Sequence, residues 1–184
     1  MIVDMQVASF ADNDKHDVSG VVQRINRLAD SVREGGGTVV FIQHDGTEQD
    51  GLTPDTPGWQ VLPSLETRSE DLFIRKTMND AFAGTRLFDD LLERSVSTLG
   101  VAGWATDHCV DSTIRSAVSH GFRVVVPSDA HTVSDRVHLT ALQIIDHHNR
   151  TWAGLIAKQP VHVAPTEELL RKSFLHAGTS DGRG

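Results

Sequence analysis

The chain is 184 residues long with one cysteine, ten histidines and a formal charge of −8, which suits one domain burying about 70% of the surface its unfolded form exposes. One cysteine excludes an internal disulfide, and the absence of any basic cluster longer than two residues excludes nucleic acid and anionic membrane as main partners. No apolar run approaches the ~20 residues of a bilayer span and no leader pattern opens the chain, so the expected location is cytoplasmic.

Strand and helix patterns alternate throughout. Met1 to Asp4 reads as a short apolar strand ending in a carboxylate. Val21, Val22, Ile25, Leu28, Ala29 and Val32 recur at helical spacing, with Asp17 as N-cap and Gly35-Gly36-Gly37 as stop. Thr38 to Gln43 is a continuous β-branched and aromatic run, expected for a strand buried on both faces. The stretch from His44 to Glu70, with Pro54, Pro57, Gly58 and Pro63, is long enough to suggest a functional flap. Leu72 to Arg75 is a third strand, Leu87 to Leu92 a short helix and Thr98 to Ala102 a fourth strand. Val110, Thr113, Ile114, Ala117 and Val118 form a helical stripe ended by Gly121. Phe122 to Val126 is a fifth strand closed by Pro127, and Ser134 to about Asn149 is helical. Val161 to Ala164 is a sixth strand, and Thr166 to Phe174 a last helix capped by Thr166. Residues 177–184 read as a frayed tail of a single domain spanning 1–184.

Such alternation implies an α/β fold, three layers with a doubly wound parallel sheet of about six strands in the order 3-2-1-4-5-6. Ligands of such sheets bind beyond the carboxyl ends of the strands, where the order reverses. Asp4 ends the first strand, Lys76 follows the third and Cys109 follows the fourth, so all three reach one crevice. Each has a plainer reading alone: a turn-forming aspartate, a solvated lysine, a small buried cysteine. Their convergence on one edge favours chemistry. A thiol in the first turn of a helix is also expected to have a lowered pKa. The histidines show no His-x3-His spacing, and His147 and His148 are adjacent, so no metal is expected.

Three segments carry a specific resemblance: Ile2-Val3-Asp4-Met5-Gln6 with Phe10, Arg75-Lys76 with Ala81-Phe82-Ala83-Gly84-Thr85, and Gly103-Trp104-Ala105-Thr106-Asp107-His108-Cys109-Val110. By these the chain resembles the isochorismatase-like cysteine hydrolases, which include nicotinamidases, N-carbamoylsarcosine amidases and ureidoacrylate hydrolases. The resemblance implies a catalytic triad of Asp4, Lys76 and Cys109, a cis peptide at Trp104–Ala105, and an oxyanion site at the N–H groups of Ala105 and Cys109. It also implies a homo-oligomer. Phe10, Phe82 and Trp104 are candidate substrate-binding residues, with Trp59 a further aromatic. The Asp-x-His metal arrangement of nicotinamidases is not matched by His44-Asp45-Gly46, so the expectation is hydrolysis of a small amide, carbamoyl or lactam compound without metal or other cofactor. Vinyl ether hydrolysis, as in isochorismatases proper, and a non-catalytic binding or redox-sensing role are the alternatives. Gln143 to Asn149 also recurs in a bacterial branch of the family, with no role assigned from the sequence.

Overall fold

The computed structural model describes residues 1–12 and 14–172. Its strands are β1 (Ile2–Val3), β2 (Val40–His44), β3 (Leu72–Lys76), β4 (Thr98–Gly100), β5 (Ala102–Trp104), β6 (Arg123–Pro127), β7 (His131–Thr132) and β8 (His162–Ala164). The α-helices are α1 (Val18–Glu34), α2 (Leu87–Glu93), α3 (Asp111–Ser119), α4 (Ala141–Ala153) and α5 (Thr166–Arg171).

Every ladder between these strands is parallel. One sheet runs β3-β2-β1-β5-β7 and a second runs β4-β6-β8. They are continuous through Val101, which separates β4 from β5 and donates its N–H to Val125 O on β6 at 3.1 Å. The single fourth strand expected over Thr98–Ala102 is thus two short strands around one residue, and the path β3-β2-β1-β4/β5-β6-β8 has the doubly wound order. The two-residue β7 has no counterpart among the sequence-predicted strands.

Alternation along the strands builds the two faces. Ile2 and Phe41 point to the side packed by α1 and α5, with Val21, Ile25, Leu28 and Leu169. Val3, Val40 and Ile42 point to the other, packed by Leu87 and Leu91 of α2, Ile114 and Ala117 of α3, and Trp152 of α4. The central strands are covered on both sides, which is why their sequences read as unbroken apolar runs.

Several boundaries differ from the sequence expectation, each for a local reason. The helix expected from Ser134 begins at Ala141, because Thr140 caps it: the hydroxyl accepts from Gln143 N–H and the Gln143 side chain returns to Thr140 N–H, a reciprocal pair that satisfies two end donors. The N-cap position of α1 is Asp17, but this residue sits in the left-handed region at φ 46° with no capping bond. Its carboxylate pairs with Arg24 at 2.6 Å instead. Thr166 opens α5 rather than capping it, Pro165 being the N-cap, and its N–H and hydroxyl both bind Asp129. The stretch after β2 is stitched down rather than hanging free. Gln6 forms an antiparallel bridge with Val61, and the N–H groups of Val7 and Leu62 bind Gln60 O and Met5 O. The frayed tail expected at 177–184, and positions 173–174 of the expected last helix, lie outside the described residues.

Gly103 lets β5 approach β1. It has φ 123°, and a Cβ there would fall 2.2 Å from Val3 O. Gly36 at φ 74° faces open space. Gly103→Ala is expected to destabilise the fold by roughly 3 kcal/mol or more, through strain plus a backbone clash, against about 1 kcal/mol for Gly36→Ala. Urea unfolding measures both; equal losses would show that the β1–β5 approach does not require glycine.

Candidate active site

Asp4 leaves β1 at a turn in the left-handed region, with φ 50°, its N–H still bonded to Ile42 O at 2.9 Å. Asparagine and aspartate tolerate that region better than most residues. Lys76 is the last residue of β3, and its register partner on β2 is His44. Cys109 lies in a wide turn, Thr106–Val110, whose bonds span five residues rather than four. The N–H groups of His108 and Val110 both reach Ala105 O, at 3.0 and 3.1 Å. The thiol therefore precedes α3 rather than lying in its first turn.

The three side chains meet. Lys76 Nζ is 2.6 Å from Asp4 Oδ2, 3.0 Å from Met78 O and 3.4 Å from Cys109 Sγ. Those contacts use the three protons of the ammonium. The Lys76 side chain is 0% exposed and that of Asp4 5%. Asp4 Oδ1 is buried with no hydrogen-bond partner among the described residues, as is His44 Nδ1. The sulfur also faces Asn79 Oδ1 at 3.7 Å.

Electrostatics overturn the expectation of an acidic thiol. Burial, then the Asp4 charge, push Cys109 up to about 12, with Lys76 opposing. Burial likewise raises the Asp4 carboxyl above its ordinary value, against the pull of Lys76. The helix-end field behind the opposite expectation loses because the sulfur is desolvated and faces a carboxylate.

Of the aromatic candidates, Phe10 and Trp104 meet edge to face at 5.7 Å, and Lys15 Nζ lies 5.2 Å from the Trp104 ring centre. Phe82 is not with them. It is buried in the core against Phe122 and His120, so its place is a packing position rather than the aromatic pair. Trp59 donates its Nε1–H to Asp45. The Trp104–Ala105 peptide is cis. Asp107, the second residue of the turn, holds Arg136 through two bonds of 2.9 Å; against the cost of its burial, Arg136 and His108 hold its carboxyl well below the usual carboxylate range, at about 2. Thr106 and His131, which are buried, and Asn79 and Arg136, which are not, all escape a reading of the sequence, because no periodicity marks a polar contact between distant residues. Among the described residues no three His, Cys, Asp or Glu side chains gather as a metal site. A cavity of about 300 Å³ at the amino ends of the strands, lined by Ile25, Val39 and Leu99 among others, holds none of Asp4, Lys76 and Cys109.

A doubly wound parallel sheet with an acid, an ammonium and a thiol joined at the carboxyl ends of its strands defines the class: an α/β protein of the isochorismatase-like cysteine hydrolase type. The chain belongs to the isochorismatase family, the Isochorismatase domain model matching residues 1–152. It is 35% identical over 136 residues to a streptothricin hydrolase of Streptomyces noursei, covering 73% of this chain and 54% of that protein. It is 26% identical to the ureidoacrylate amidohydrolase RutB of Variovorax paradoxus, covering 71% of this chain and 66% of that one. A crystal structure of an isochorismatase family protein superposes with a TM-score of 0.81 at 34% identity, covering 89% of this chain and 95% of that one. The chain spans about half the length of the streptothricin hydrolases it matches. No described helix is long and apolar enough to cross a membrane.

The thiol's ionisation is directly measurable, since Cys109 is the single cysteine. Thiolate absorbance near 240 nm is expected to stay flat to about pH 10 in the folded protein and to rise near the free-cysteine value of ~8.5 in urea. A folded-state rise between pH 6 and 8 would contradict the burial and Asp4 effects.

Proposed function

We propose that the chain is a cysteine-dependent amidohydrolase that cleaves a C–N bond in a small amide, carbamoyl or lactam compound through a thioester. The observation that carries this reading is the buried Lys76 ammonium in contact with both the Asp4 carboxylate and the Cys109 sulfur. The relatives named as an amidohydrolase and a streptothricin hydrolase support it.

The chemistry follows from the basicities. A thiol held near 12 keeps its proton at rest, so the nucleophile has to be made during the reaction. Asp4 suits the part of base, because Lys76 occupies only Oδ2, Oδ1 is buried with no hydrogen-bond partner among the described residues, and burial has made the carboxyl more basic than usual. Cys109 passes its proton to Asp4 as sulfur bonds to the substrate carbonyl carbon. The carbonyl oxygen takes up the negative charge, facing the N–H groups of Ala105 and Cys109. Collapse breaks the C–N bond, and the amine leaves with the proton from Asp4. Water then attacks the thioester, giving Asp4 a proton that returns to the departing thiolate, so acid and thiol are regenerated. Lys76 keeps its charge throughout and offsets the negative charge that moves between Asp4 and Cys109. Phe10 and Trp104 supply an apolar wall for the substrate.

The test is a panel of small primary amides, carbamoyl compounds and lactams, assayed for released ammonia or amine. Wild type is expected to turn over at least one class, and Cys109→Ala to lose that turnover by a factor of about 10⁴ or more while keeping its unfolding transition. Undiminished turnover in purified Cys109→Ala would end the thioester reading. Activity is also expected to survive exhaustive EDTA treatment; loss restored by zinc or manganese would mean that metal takes part, with His44 the first ligand to examine.

A further inference from the structure

The buried polar groups beneath the thiol turn form a relay that the proposed chemistry does not use. Asn149 on α4 donates its Nδ2–H to Ser128 O at 2.9 Å, which leaves its Oδ1 facing His131 Nε2 at 3.1 Å. An amide oxygen only accepts, so Nε2 carries the hydrogen. Burial pushes the His131 imidazole down to about 4, so at neutral pH Nδ1 is bare. Thr106 Oγ1 lies 2.9 Å from that nitrogen and 3.0 Å from Thr132 O. Its one proton is shared between the two acceptors. Thr106 and Thr132 are 0% exposed and His131 1%. The Trp152 ring stands edge-on to His131 at 5.0 Å.

Thr106 is the first residue of the turn that carries Cys109. The helix following that turn is held by α4 too: Trp152, three residues after Asn149, donates Nε1–H to Asp111 at 2.8 Å. One face of α4 therefore grips the thiol turn at its start through Asn149, His131 and Thr106, and just past its end through Trp152 and Asp111. This gives a role to the Asn149 end of the Gln143–Asn149 segment.

We propose that His131 and Asn149 are positioning residues, holding the Thr106 hydroxyl so that the N–H groups of Ala105 and Cys109 stay aimed at the reacting carbonyl. The proposal rests on the thioester reading for its catalytic consequence and on the hydrogen bonds alone for the clamp. A displacement of about 1 Å in such a site costs up to ~100-fold in rate, whereas substrate affinity depends little on it.

The experiment joins hydrogen–deuterium exchange with steady-state kinetics on wild type, Thr106→Val, Thr106→Ser and Asn149→Leu. Thr106→Val is expected to speed amide exchange across residues 105–110 by about tenfold or more while leaving α1 at its wild-type rate. With the substrate found by the amide panel, kcat is expected to fall by roughly 10 to 100-fold with KM within about threefold. Thr106→Ser, which keeps the hydroxyl, restores both. Asn149→Leu, on the partly exposed side of α4, moves both in the same direction, and combining it with Thr106→Val adds little, because the two act through one relay. Wild-type exchange and kcat in Thr106→Val, failure of serine to rescue, or full additivity of the pair would overturn the proposal. If Thr106→Val fails to fold, Asn149→Leu decides by the same exchange criterion. If wild type turns over none of the panel, the hydrolase reading falls separately while the exchange result still judges the clamp.

Discussion

A lysine ammonium buried at the carboxyl edge of a parallel sheet is the constraint on which the rest of the molecule depends. Taking such a charge out of water costs several kcal/mol unless its protons and its charge are both answered. Here the answer comes from three separate stretches of chain: the Asp4 carboxylate at the end of β1, Met78 O just past β3, and the Cys109 sulfur after β5. Removing one partner leaves the others uncompensated, so β1, β3 and the thiol turn are held together by the same charge. The close approach of β5 to β1 at Gly103 and the left-handed turn at Asp4 are what bring those groups within reach.

The same burial decides how the thiol can work. A cysteine poised as thiolate would need full exposure or a dominant cation, and Cys109 has neither: it is only partly exposed, and the Asp4 charge weighs on it more than that of Lys76. The pair behaves as a proton donor and a base of raised strength sharing one fixed positive charge, and its titrations belong to the cluster rather than to single residues. In the proposed reaction this arrangement places the charge where the proton would move, and it disfavours the thiolate on which alkylation and oxidation depend.

Much of this is legible in the chain. The apolar runs at Val40–Ile42 and Val124–Val126 mark the buried strands, and edge logic alone carries Asp4, Lys76 and Cys109 to one crevice. What escapes depends on contacts between residues far apart in sequence. The wide turn at Thr106–Val110 has no propensity signature. The late start of α4 has one, the Thr140-x-x-Gln143 capping box. Phe82 reads as a pocket residue within its segment, yet its ring goes to the core because Phe122 and His120 lie beside it. The raised thiol pKa cannot be seen from a helix boundary, since desolvation outweighs the helix-end field.

The central claim, that Lys76 governs the charge balance of the thiol, is most directly tested by the rate at which iodoacetamide alkylates Cys109 between pH 6 and 9 in wild type, Lys76→Ala and Asp4→Asn. The rate follows the thiolate fraction. Removing the cation should slow alkylation by about tenfold or more, and removing the carboxylate's charge should speed it relative to wild type. Equal rates in wild type and Lys76→Ala across that range, in proteins that remain folded, would contradict the claim and leave Lys76 a structural cation only.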